Sequence, residues 1–384
     1  MTPRTEVLIV APVGSLSTRT RLIKFSRLYC AAGHDLVHLA WERSTDSAEL
    51  DPEESRLGVQ RIVITRGGSY GGTSSRRLIP GYARWAIAVF FCLLRRPATD
   101  VHALGLESAL PAVAAAKFRK HRVIYDDADR FSLCHPMPGR VKAAVEAAER
   151  WVARQSLVHV IPGSGRYPDG FPAPVTIELS NWPSEADVLA AQTVPTPEIP
   201  SKALTLYANG WVGDRRGAIQ LLELARHLQE DPRFHLVVAG RLSERSANEL
   251  VEMDNVTNLG KVSQAEALAV YPLVDAVVTM YDPSIEINRF AEPNKWGDCL
   301  ELGVPILVNE EVQTATDLID RGYALSFAWD GSGGLNDLVD SLLINSEPLE
   351  AAAAAIAKSD FSSKSFDNTV NAQLTPLLGG AHLT

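Results

Sequence analysis

Cysteine is scarce. Cys30, Cys92, Cys134 and Cys299 are scattered along 384 residues, with no Cys-x-x-Cys pair and no histidine cluster at metal spacing. That pattern fits a reduced, cytoplasmic protein without a structural zinc. Basic charge is in deficit, 37 Lys and Arg against 46 Asp and Glu for a net charge of −9. A nucleic-acid backbone is therefore a poor candidate partner. The N-terminus passes almost directly into the apolar run Val7 to Val13 and lacks the charged, apolar and small-residue succession of an export signal. Long hydrophobic runs are missing too, and the most apolar stretch, Trp85 to Leu94, is too short to span a bilayer. Arg76, Arg77, Arg84, Arg95 and Arg96 flank it. It reads either as a helix resting on an anionic membrane face, peripheral at the inner side of the cell membrane, or as a buried helix with solvated arginines at its ends. Also absent is a GxGxxG fingerprint. The first strand runs into Pro12-Val13-Gly14-Ser15, which argues against a dinucleotide redox enzyme.

The alternation of apolar strands with helical patterns is what the chain does have. In the first half strands are predicted at Val7–Val10, Leu36–Ala40, Arg61–Thr65, Asp100–Leu104, Arg122–Tyr125, Val158–Pro162 and Thr176–Leu179. Helices are predicted from Thr18 to Ala32, Ser108 to Phe118 and Lys142 to Gln155. Strand, helix, strand in that rhythm implies right-handed parallel units. A proline-rich stretch interrupts the pattern after Pro183, and then it restarts. Strands are expected at Leu204–Ala208, His235–Ala239, Ala276–Met280 and Pro305–Val308, with helices at Ala218–Gln229, Ser243–Glu252, Gln264–Tyr271 and Asn294–Leu302. The expectation is an α/β protein of two doubly wound, Rossmann-like domains facing a central cleft, spanning 1–182 and 203–360 around a linker at 183–202. In such sheets ligands sit beyond the carboxyl ends of the strands.

The segment Glu292 to Pro305, EPNKWGDCLELGVP, carries most of the chemistry. Pro293, Asn294 and Lys295 open a helix whose free N–H groups and positive dipole end suit a phosphate. Asp298, set back along the helix, suits hydrogen bonds from sugar hydroxyls. Together they suggest a nucleoside diphosphate, although Pro293 and Gly303 also read as an ordinary helix start and stop.

With these motifs in order, the chain resembles the GT-B glycosyltransferases, in particular the large family 4 of bacterial nucleotide-sugar-dependent enzymes. The likeness is carried by GWVGDRRG at Gly210–Gly217, HLVVAGR at His235–Arg241, NVTNLGKV at Asn255–Val262, YPLVDAVVTMYDPS at Tyr271–Ser284 and the EPNKWGDCLELGVP segment. In the first half it is carried by Thr20–Arg43, Ala103–Ala116 and VIYDDAD at Val123–Asp129. The resemblance implies that the donor lies mainly against the second domain, with Arg216 and Lys295 on its diphosphate, Gly240 and Lys261 at loops that approach the nucleotide, and Asp298 on the ribose. It implies that Gly14 approaches the donor phosphates, and that residues 361–384 cross back onto the first domain. Three positions depart from the family pattern: Phe290 stands where the first acid of its Glu-x7-Glu motif belongs, Trp211 where an arginine belongs, and Ala128 where many relatives have histidine. Glu286 or Glu292 could substitute for the missing acid.

Asp126, Asp127 and Asp129 crowd three carboxylates into one strand end, and one of them, or His102, is the candidate for positioning or deprotonating the acceptor hydroxyl. The competing readings are a helix cap for Asp126, an Asp129–Arg130 pair and a structural His102. The Gly-rich stretch Gly67 to Ser75 reads as an acceptor-side loop. The implied activity is transfer of a sugar from a UDP- or GDP-type donor to a saccharide, lipid-linked or small-molecule acceptor, without a metal or other cofactor. A sugar-nucleotide epimerase or hydrolase of the same fold, or a catalytically silent binding partner, are the alternatives.

Overall fold

The computed structural model describes residues 5–43, 51–68, 75–134, 136–167, 170 and 173–378, with the backbone alone at 75–79. Residues 69–74 of the Gly-rich stretch lie outside the described residues. The chain forms two compact units, Met1–Ser180 with Asp367–Thr384, and Asn181–Phe366.

In the first unit a parallel sheet of seven strands is built from β1 (Glu6–Ala11), β2 (Asp35–Glu42), β3 (Gln60–Arg66), β4 (Asp100–Leu104), β5 (Arg122–Asp126), β6 (Val158–Ile161) and β7 (Thr176–Glu178), in the order β3-β2-β1-β4-β5-β6-β7. The interior strand β1 is strongly apolar, and Val7 to Ala11 are fully buried. That is expected of a strand covered by helices on both faces. Trp85, Val89 and Leu93, four residues apart on helix Ser75–Leu94, pack into this core with Leu8, Val10 and Leu39. The outer face of the same helix exposes Ile87 and Phe91. Among the described residues no helix is long and apolar enough to cross a membrane.

The second unit repeats the design with β8 (Leu204–Val212), β9 (Phe234–Leu242), β10 (Val256–Asn258), β11 (Ala276–Thr279), β12 (Ile306–Asn309) and β13 (Ala324–Phe327), all parallel in the order β10-β9-β8-β11-β12-β13. Its strands alternate between two cores. Leu206, Leu236, Val238, Val278 and Leu307 pack on one face, while Tyr207, Val237, Ala239, Val277, Ile306 and Val308 pack on the other. The two-residue period of extended chain explains the split.

The proline-rich stretch is partly structured. Ser184 accepts from the Asp187 N–H and caps a helix, Glu185–Ala191, that packs on helix Gln264–Val270 within the second unit. A capping serine followed by Glu and Asp in the first turn outweighs the flanking prolines. At the other end of the chain, residues 370–374 lie against helix Thr20–Ala31 in the first unit.

Candidate functional site

In the second sheet the strand order reverses between β8 and β11, so the connections leaving them run to opposite sides and leave a crevice beyond their carboxyl ends. The turn Asp214–Arg216 follows β8, and Met280 and Tyr281 follow β11. The Arg216 guanidinium lies over the Tyr281 ring, its Cζ 4.4 Å from the centroid, and 5.8 Å from that of Trp211. Its Nη1 donates to Asn288 Oδ1 at 3.1 Å, and the Asn288 amide donates in turn to the Asp282 carbonyl at 3.0 Å. Asn309 pins the stacking ring, accepting from the Tyr281 N–H at 2.9 Å and donating to its carbonyl at 3.1 Å. Arg216 is thus aimed by an aromatic face and an amide, and among the described residues no carboxylate stands within ion-pair distance of it.

Helix Asn294–Leu302 starts beside this crevice. Pro293 occupies its N-cap without a side-chain cap bond, and no acidic residue stands in the first turn. The helix is braced from its own unit. Asn181 Nδ2 donates to the Glu292 carbonyl at 2.7 Å, Trp182 Nε1 to Glu301 Oε2 at 2.7 Å, and Trp296 Nε1 to Thr279 Oγ1 at 3.1 Å. Lys295 lays its stem across Gly210 near the end of β8, with Cε 3.5 Å from where a Cβ on that glycine would stand. Burial and the nearby Arg216 guanidinium push the Lys295 ammonium down to about 8. Among the described residues it makes no hydrogen bond or ion pair. Two cations that raise one another's energy at a helix N-terminus with no acid in its first turn are arranged for an anion.

The other donor-side candidates are distributed around this pair. Asp298 is buried, and its Oδ2 accepts from the Tyr271 hydroxyl at 3.4 Å, while Asn209 Nδ2 donates to the same Tyr271 oxygen at 3.2 Å. Asn209 Oδ1 is buried with no hydrogen-bond partner. This residue is signalled in the sequence only as an amide inside the apolar strand Leu204–Val212. Gly240 donates its N–H to the Gly260 carbonyl at 2.6 Å and sits at φ 117°, so close to β8 that a Cβ would fall 2.0 Å from the Gly210 carbonyl oxygen. Only glycine permits that approach. Lys261 is exposed on the following turn, Glu286 is exposed on the turn Glu286–Phe290, and Glu292 directly precedes the helix.

The first unit treats its acidic strand end differently from either local expectation. Asp126 does not cap the next helix. Arg21 Nε donates to both its oxygens at 2.9 and 3.0 Å, and His102 Nε2 lies 3.4 Å from Oδ2, all three side chains being buried. Burial opposes ionisation of Asp126, but Arg21 and His102 outweigh it and hold the carboxyl below its ordinary value. His102 is itself sealed by Tyr29, whose hydroxyl lies 2.8 Å from Nδ1. Asp127 is fully buried, with Oδ2 3.3 Å from His159 Nε2 and Oδ1 without a hydrogen-bond partner. Asp129 pairs at 3.3 Å with Arg166 rather than with Arg130, which lies 3.4 Å from Glu149. Arg130 is engaged elsewhere, its Nη1 donating to the Arg166 carbonyl at 2.8 Å, which leaves the Arg166 guanidinium from the turn Ser164–Arg166 to meet Asp129. Gly14 is buried after β1, its carbonyl accepting from Arg61 Nη1 at 3.1 Å. One further carboxylate, Glu107, stands half-buried after β4 and carried no individual sequence signal.

Among the described residues no group of three His, Cys, Asp or Glu side chains is placed to hold a metal ion. No protein-family model matches the chain, and no curated protein matches it in sequence. Solved structures do match. HepE from Anabaena, in complex with UDP and glucose, superposes with a TM-score of 0.64 at 13% identity, over 97% of this chain and 99% of that one. Sucrose-phosphate synthase from Thermosynechococcus elongatus gives 0.63 at 13% identity, over 96% and 98%. A UDP-N-acetylglucosamine 2-epimerase gives 0.55 at 12% identity, over 92% and 91%. At such identities the likeness shows the fold alone: two Rossmann-like parallel-sheet units of the kind found in GT-B proteins.

Proposed function

We propose that this chain transfers a sugar from a nucleoside diphosphate donor to an acceptor hydroxyl, and that its second unit holds the donor. The observation that carries the reading is the pair Arg216 and Lys295, two cations without a carboxylate partner at the start of a braced helix, beside the switch point of the sheet. As the bond from the anomeric carbon to the diphosphate breaks, its electron pair leaves with the phosphate oxygens. Arg216, Lys295 and the N–H groups at Asn294 and Lys295 stabilise that growing charge without a metal, and they are already oriented before the reaction begins. Gly240 and the turn at Lys261 line the nucleoside side, where backbone drawn close together leaves room for a flat ligand. Asp298 acts through Tyr271, whose hydroxyl it accepts, and so fixes the floor of the site. HepE, a neighbour by fold, is crystallised with UDP and with UDP-glucose, which supports a nucleotide-sugar donor here.

Calorimetry with a panel of UDP-, GDP- and TDP-sugars tests the reading. At least one should bind, and Arg216→Ala should lower turnover roughly 10²-fold, the scale of losing one preorganised charge stabiliser. Binding followed by epimerisation of the sugar, with no transfer or donor hydrolysis, would replace transferase by epimerase. No binding by any donor would leave a silent scaffold.

A further inference from the structure

We propose that the outer face of helices Ser75–Leu94 and Leu106–Arg119 docks on an anionic membrane surface. The inference stands on the first unit alone and is independent of the reaction proposed above.

The two helices pack side by side on one face of the first sheet. Trp85 and Val89 of the first helix, and Ala109 and Val113 of the second, share a core with Val10 and Val101 of the strands. Helices laid on one sheet face turn their other sides toward a common plane. On that outer side Ile87, Phe91 and Phe118 are 59%, 49% and 72% exposed. Ile87 and Phe91 are one helical turn apart, and the Phe90 ring joins the helices, its centroid 5.5 Å from that of Phe91 and 6.3 Å from that of Phe118. Single exposed apolar residues are ordinary on a protein surface, whereas a contiguous apolar patch marks a contact. Phe118 protrudes rather than lining a groove. A partner must yield to it, as acyl chains do and a close-packed protein surface does not.

Charge names the partner. Residues 75–99 and 108–125 hold nine of the chain's 37 Lys and Arg and none of its 46 Asp and Glu. The one acid in either helix, Glu107, is folded back over Gly105 at the opposite end of its helix from Phe118. Arg95 lies against Phe91, its Cζ 6.0 Å from the ring centroid, and Lys117, Arg119 and Lys120 are exposed beside Phe118. Arg119 donates to the Leu94 carbonyl and Lys117 to Gln155 Oε1, neutral acceptors that leave both charges uncompensated. Among the described residues none of these four cations pairs with a carboxylate. The chain as a whole carries −9, which repels it from acidic headgroups everywhere except at such an island. Basic side chains around inserted Phe and Ile are the means by which interfacial helices hold anionic lipid, their stems lying along the apolar surface and their heads reaching phosphate.

Flotation of the full chain without nucleotide tests this, comparing vesicles of equal parts phosphatidylcholine and phosphatidylglycerol with vesicles of phosphatidylcholine alone. The protein should float with the first and not with the second, and added salt should weaken the binding. Arg95→Gln combined with Lys117→Gln should lower the partition coefficient roughly 25-fold, at about fivefold for each basic residue beside an anionic surface. Phe91→Ser combined with Phe118→Ser should lower it about 10-fold or more, the scale of withdrawing two partly inserted rings. All four positions are exposed, and urea midpoints equal to that of wild type would show that lost flotation is not lost folding. No flotation with the acidic vesicles would overturn the proposal. Flotation that neither double variant reduces would overturn it too, because another surface would then carry the binding. So would binding to soluble polyglutamate as strong as to vesicles and indifferent to the phenylalanines, which would assign this face to an acidic protein instead.

Discussion

Replacing Lys295 with methionine should make the second unit more stable and weaken its hold on a nucleotide sugar. The lysine is pushed from 10.5 down to about 8 by burial and by Arg216, so the folded state binds its proton less readily than the unfolded chain does. Below pH 8 the full cost of that charge is present, and it fades between pH 8 and 10.5 as the folded state gives up the proton first. A depression of this size corresponds to an upper bound of about 3 kcal/mol, and partial exposure of the side chain reduces the expected gain in the Met variant to about 1–3 kcal/mol at pH 7. The bound donor reverses the balance, because a diphosphate beside the ammonium favours its charged form. UDP-glucose carries phosphodiester charges that do not titrate near neutrality, so any pH dependence belongs to the protein. With the free ammonium at about 8, affinity should fall about 10-fold from pH 7 to pH 9, and binding at pH 8 should take up about half a proton. Urea unfolding measures the first effect. Calorimetry in buffers of different ionisation enthalpy measures the second. A Met variant no more stable than wild type, with undiminished donor affinity, would refute the reasoning, and so would a flat affinity between pH 7 and pH 9.

Gly240→Ala should cost roughly 2–4 kcal/mol, since a Cβ at φ 117° would fall 2.0 Å from the Gly210 carbonyl oxygen; a denaturation midpoint equal to that of wild type would show that the strand end yields more easily than its geometry implies. Asp126→Asn should destabilise the first unit by about 3–5 kcal/mol by leaving Arg21 buried without its counter-charge. Because Asp126 is held below its ordinary value, its contribution is complete above the unfolded carboxylate range and lost as pH falls through the folded value. Wild type should therefore lose stability on acidification faster than Asp126→Asn, and parallel acid-unfolding curves for the two would contradict this.

Strand β4 and helix Asn294–Leu302 begin and end at the residues that hydrophobic pattern and turn chemistry predict. Short or half-exposed elements are less legible. The strands Val256–Asn258 and Ala324–Phe327 offer too few residues for an alternation to register. Helices Leu335–Ile344 and Glu347–Ala357 follow the last recognisable motif, so no motif marks them in the sequence. Among site residues, Lys295 and Arg216 could be nominated singly, but their mutual repulsion could not be read, because the chain between them passes through β9, β10 and β11. Glu107 stood unmarked in an alanine-rich helix, and the Asp126 cluster gave no hint that its partner would be Arg21, 105 positions away.

Local periodicity decides which segments become strands and helices, because the alternation of two and the turn of 3.6 residues are properties of neighbouring residues. From that alone follow the doubly wound α/β character and the helix start at Pro293. Strand order decides the rest. Only when β1 lies beside β4, and β8 beside β11, do carboxylates and cations from distant loops meet, and only then does burial determine which are neutralised in pairs and which are left charged for a ligand.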